Sequence, residues 1–150
     1  MRKEIDRRAM VTLSSGHLAV DFASGSVPAL LPFLAAEFDL SYTATAAMML
    51  AALVSSSLVQ PAFGLWSDRR GATWLLPAGV AVSAAGVGAA VIAPAYGLVL
   101  LAVFLAGIGV AAYHPEGAKF AAFASGPHRP AGCRTSTSAG TRAMRSGRSS

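Results

Sequence analysis

His17 and Asp21 stand four residues apart and are the only ionisable side chains between Arg8 and Glu37. Side chains four apart share one helix face, so an imidazole and a carboxylate would meet there. Such a pair can hold and pass a proton or grip a polar solute. Counted from Val11, Asp21 lies ten residues in, about 15 Å deep and close to the midplane of a hydrocarbon core about 30 Å thick. An ionisable residue at that depth costs on the order of 2.5–3.5 kcal/mol and normally faces a cavity or a polar partner. Two readings follow: a proton or substrate site lined by His17 and Asp21, or a hydrogen-bonded pair that ties the first helix to a neighbour. No metal site is expected, because two ligands on one helix do not complete a coordination sphere.

A second constellation is His114-Pro115-Glu116. Pro115 lacks an N–H and crowds the carbonyl of Ala111, so a helix is expected to kink or end there. A kink would free a carbonyl beside His114 and Glu116 and build a polar patch at depth. The other reading places Glu116 among lipid headgroups, paired with Lys119 three residues on. A third charged group is the short loop Gly64-Leu65-Trp66-Ser67-Asp68-Arg69-Arg70-Gly71.

The elements that must carry these residues follow from the distribution of charge. Hydrophobic residues make up 54% of the 150 residues and charged ones 13%, against about 25% charged in soluble domains; mean hydropathy is +0.54. So few charges cannot cover a water-exposed surface, and the composition also excludes a disordered chain or a disulfide scaffold. No Lys or Arg occurs between Arg8 and Arg69, and Glu116 is the only formal charge between Arg70 and Lys119. A spanning helix needs about 20 mostly apolar residues, and these gaps hold four: residues 11–34, 44–66, 74–93 and 98–118, the last extending to 124. The expected class is an all-α membrane protein. Small residues such as Gly79, Ser83, Gly86, Gly107 and Gly109 predict close helix packing.

All 12 basic residues fall in the N-terminus, the loop after the second span, or the segment from Lys119 onward. By the positive-inside rule this puts both termini and the Asp68 loop in the cytoplasm of a cell whose inner membrane the chain crosses several times. Residues 1–10 form a basic cytoplasmic N-terminus. A cleaved signal peptide is disfavoured by the length of the first stretch and by Asp21, Pro28 and Pro32 within it. Residues 126–150 lack Leu, Ile, Val, Phe, Trp and Tyr but hold five Arg, so 125–150 is expected to be a disordered basic tail. A shifted reading frame is the preferred explanation for it. Cys133 is the sole cysteine. No nucleophile elbow, phosphate loop or zinc spacing is present, so neither an enzyme, a cofactor nor a nucleic-acid partner is expected; membrane lipid is.

The loop from Gly64 to Gly71 resembles the signature between the second and third helices of the major facilitator superfamily: glycine, three residues, Asp-Arg, one residue, glycine. The resemblance implies that Gly64 permits close helix approach and that Asp68, with Arg69 as its charged companion, latches onto a helix end of the transporter's other half and so stabilises one alternating-access state. Residues 16–22 (Gly-His-Leu-Ala-Val-Asp-Phe), 60–64 (Gln-Pro-Ala-Phe-Gly) and 113–117 (Tyr-His-Pro-Glu-Gly) together resemble the fosmidomycin-resistance branch, drug exporters driven by proton exchange. This implies the N-terminal part of a twelve-helix fold whose remaining helices are missing. His17, Asp21, His114 and Glu116 would line the path of protons and a small, drug-like substrate, and the four helices would be inactive alone. The alternative is a self-contained four-helix exporter that dimerises, which the complete charge bias argues against.

Overall fold

The computed structural model describes residues 7–124; Arg2, Lys3 and the expected tail lie outside the described residues. Five helices follow in order: α1 (Arg7–Glu37), α2 (Tyr42–Leu58), α3 (Gln60–Arg70), α4 (Leu75–Ile92) and α5 (Tyr96–Ala124), with no strand among the described residues. Four segments are long and apolar enough to cross a membrane, with α2 and α3 forming a single one. The expected all-α membrane architecture is therefore what the chain adopts.

The differences from the expected spans lie at prolines and helix ends. Val59 separates α2 from α3 while keeping right-handed helical angles, because Pro61 has no N–H to donate to the preceding turn. The N–H groups of Ala62 and Phe63 both turn to the Val59 carbonyl, at 3.1 and 3.2 Å. Pro28, Pro32 and Pro115 instead sit inside continuous helices, so α5 does not end at Pro115 and runs on to Ala124. At 31 residues α1 also exceeds its expected span at both ends. It closes with Asp39 in the left-handed region, φ 47°, and Leu40 N–H on the Ala35 carbonyl at 2.9 Å, a Schellman-type stop. Ser41 then caps α2 by accepting from Ala44 N–H at 3.2 Å.

α5 is the hub and touches each of the other four helices. Its tightest partner is α4, where small residues let the backbones meet. A Cβ built on Gly86 would stand 2.6 Å from the Ala106 nitrogen, and one on Gly79 2.8 Å from the Gly109 carbonyl. Hydroxyls inside the helices return to their own backbone, as Ser55 does to the Ala51 carbonyl at 2.7 Å and Ser26 to Phe22 at 2.7 Å, which satisfies them without water. Many large apolar side chains still face outward, among them Leu18, Phe22, Phe33, Leu53, Leu58 and Ile92, as lipid or further helices would require.

Gly71 ends α3 with φ 60°, its N–H on the Ser67 carbonyl at 2.9 Å. Left-handed backbone costs other residues about 1–2 kcal/mol. Gly71→Ala should therefore destabilise the fold by about that much, measurable by denaturant unfolding in detergent.

Candidate functional site

Because the four spans alternate in direction, with α2 and α3 running as one, the start of α1 and the ends of α3 and α5 share one end of the bundle. Arg7, Arg8, Arg69, Arg70 and Lys119, the Lys and Arg residues of the described segment, all stand on these helix ends. Two polar clusters lie inward from them.

The first joins α1 to α5. Asp21 is halfway along α1, and its carboxylate lies 3.3 Å from His17 Nε2, the pairing that the four-residue spacing dictates. The same carboxylate lies 3.7 Å from His114 Nε2 on α5, and the two imidazole centroids are 5.1 Å apart in an edge-on arrangement. His114 Nδ1 contacts the Val110 carbonyl at 2.9 Å. A carbonyl only accepts, so Nδ1 carries the hydrogen, and Nε2 faces Asp21 with either a lone pair or a second hydrogen. Tyr113 fastens the two helices by donating its hydroxyl to the Leu13 carbonyl at 2.7 Å, and its ring packs against Gly16. These groups open on a cavity of about 540 Å³, also lined by Ser14, Gln60 and Leu18. About half of the His17 and Asp21 side-chain surface remains exposed.

The second cluster closes the Asp68 loop onto α5. Lys119 Nζ stands 2.5 Å from the Asp68 carboxylate, donates to Ser67 Oγ at 2.8 Å and lies 3.6 Å from Glu116. Ser67 Oγ in turn donates to Glu116 Oε2. Glu116 is only 3% exposed, so its partners there are what make a buried carboxylate tolerable. Glu116 thus keeps its expected i+3 relation to Lys119, and it does so within a network that includes Ser67 and Asp68 of the loop. Its partners are those of the loop, whereas His114, two residues earlier, faces Asp21.

The residues expected to line the site therefore divide into two groups. His17, Asp21 and His114 come together; Asp68 and Glu116 come together through Ser67 and Lys119. Arg69 is exposed at the end of α3, and it is Lys119 that pairs with Asp68. A Cβ on Gly64 would meet Pro115 Cβ at 3.7 Å, an ordinary contact, and tighter approaches occur at Gly79, Gly86 and Gly109 between α4 and α5 and at Gly107 against Ser55 of α2. Sequence reasoning does not single out Ser67 and Lys119 as members of the loop's site. Their signals are faint: the position of Ser67 beside Asp68 and the i+3 spacing of Lys119 from Glu116.

A bundle of apolar spans with an ionisable cluster at mid-helix is the architecture of a multi-pass membrane protein. The Major Facilitator Superfamily model matches residues 13–132, and the chain belongs to that family. It is 35% identical over 114 residues to the fosmidomycin resistance protein of Escherichia coli (strain K12), a match covering 76% of this chain and 28% of that protein. It is 30% identical over 120 residues to an uncharacterized MFS-type transporter, YfnC, of Bacillus subtilis (strain 168), covering 80% of this chain and 29% of the relative. The chain thus spans less than a third of the length of these curated relatives. No solved structure matches it significantly.

Proposed function

We propose that these four helices are the N-terminal part of a proton-coupled drug exporter of the inner membrane, with both termini cytoplasmic, and that they do not transport alone. The observation that carries this reading is the meeting of Asp21 with His114 across two helices, halfway along α1. In secondary transporters the solute and coupling-ion sites lie near the bilayer midplane, between repeats. His17, Asp21 and His114 would form this half's share of the path for protons and substrate. The similarity to a protein named for fosmidomycin resistance makes a small drug of that kind the substrate to test.

Asp68, Lys119, Ser67 and Glu116 serve as the conformational latch in this reading. They hold the α3 end against α5, and the hold must loosen when the bundle rocks. Asp68→Asn removes the charge that Lys119 grips, so it should speed departure from the latched state severalfold and lower that state's population while leaving the fold intact, as read by single-molecule fluorescence in a transporter containing all its helices.

The test of the function is fosmidomycin export from vesicles under an imposed pH gradient. Vesicles holding these four helices with the remaining helices supplied as a second polypeptide should export the drug, and vesicles holding this chain alone should not. Export by the chain alone overturns the incompleteness. Absence of gradient-driven export from the assembled protein overturns the assignment to proton-coupled fosmidomycin efflux.

A further inference from the structure

We propose that His17, Asp21 and His114 bind one divalent first-row transition-metal ion of the zinc class. Two donors from one helix fall short of a site, but the fold supplies a third from α5. The ligating atoms of the three side chains all lie within 4.8 Å of one another. His17 Nε2 and His114 Nε2 stand 3.3 and 3.7 Å from the two oxygens of one carboxylate. Donors around a tetrahedral ion with bonds of about 2.0–2.1 Å are about 3.3 Å apart, so small ring rotations complete the set.

The hydrogen bond from His114 Nδ1 to the Val110 carbonyl, 2.9 Å, is independent support. It places the hydrogen on Nδ1, so that the neutral ring offers its Nε2 lone pair toward the carboxylate, and this is how metal-bound histidines are usually oriented. With the ring neutral, a lone pair and a carboxylate face each other, a pair of acceptors that a metal cation can bridge. The Tyr113 hydroxyl on the Leu13 carbonyl holds α1 and α5 at the distance this needs. No Lys or Arg lines the adjoining cavity to repel a dication. Two imidazoles and one carboxylate favour zinc, cobalt or nickel over magnesium or calcium, which take oxygen ligands. The fourth position opens on the cavity beside Ser14 and Gln60, where water or an anionic oxygen of a solute can complete the sphere. The ion uses lone pairs that the transport reading gives to a proton, but the inference rests on donor geometry and stands or falls without reference to transport.

The test is a cobalt chloride titration of the full chain in lipid nanodiscs, in a Cys133→Ser background that removes the one thiolate. Visible absorption should saturate at one Co²⁺ per chain, be displaced by Zn²⁺ and be indifferent to excess Mg²⁺. Nuclear magnetic resonance of the histidine rings should show paramagnetic broadening at His17 and His114 and not at His128, a readout that needs no mutation in the site. His114→Gln should weaken binding by at least about tenfold. Absence of saturable binding, broadening centred on His128, or unchanged affinity in His114→Gln would each overturn the proposal.

Discussion

Asp21→Asn, placed in a transporter that carries these four helices with the rest, should abolish drug export driven by a pH gradient while the protein still inserts and folds. The substitution is nearly isosteric and keeps a hydrogen-bonding group opposite His17 and His114, but it removes the charge that a proton must neutralise. Insertion should become easier, since an amide at mid-helix costs less than a carboxylate. Proteoliposomes with an imposed gradient measure the first effect, and yield and thermal stability in detergent measure the second. Normal export by Asp21→Asn would remove Asp21 from the coupling path. Loss of folding would show instead that the carboxylate is chiefly a tie between α1 and α5.

The second large effect is structural and distinguishes two glycines on one helix. Gly86→Ala should destabilise the bundle by about 1–3 kcal/mol, because the new methyl would stand 2.6 Å from the Ala106 nitrogen and 2.8 Å from the Ala102 carbonyl. Both are backbone atoms of α5, so neither can swing aside. Gly88→Ala, two residues along α4, meets nothing within 4 Å and should stabilise by about 0.5–1 kcal/mol through lost backbone freedom in the unfolded chain. Parallel denaturant titrations in the same detergent would show the opposite signs. Equal responses would mean that α4 and α5 do not pack through this seam.

Asp21 shows which parts of the site a sequence can display. Its pairing with His17 is local, fixed by the helical repeat, and the apolar flanks give its depth. Its pairing with His114 depends on where α1 crosses α5, which is set by Tyr113 reaching Leu13 and by Gly16 admitting the Tyr113 ring. No spacing along the chain encodes that crossing. Glu116 shows the same limit: Lys119 three residues on was visible, but Ser67, 49 residues away and hydrogen-bonded to it, was not. The spans themselves were legible because long stretches without Lys or Arg are a property of composition. The discontinuity at Val59 had a visible cause in Pro61 that the apolar run concealed, whereas Pro115 shows that a proline in a packed helix need not end it, since α5 continues to Ala124. The major facilitator loop was legible as a motif, although the motif's own cation, Arg69, proved exposed while Lys119 from α5 holds Asp68.

Every functional role given to these helices requires that the chain cross the bilayer with the Asp21 side chain near its middle. Site-directed spin labelling reads this depth, with Asp21→Cys in the Cys133→Ser background, reconstituted in bilayers and probed by collisions with oxygen and with a polar nickel reagent. The label should lie about 15 Å below the headgroups, flanked by shallower labels toward either end of α1. A label at position 21 that reports headgroup depth or bulk water would refute the membrane-embedded placement and the transport path built on it.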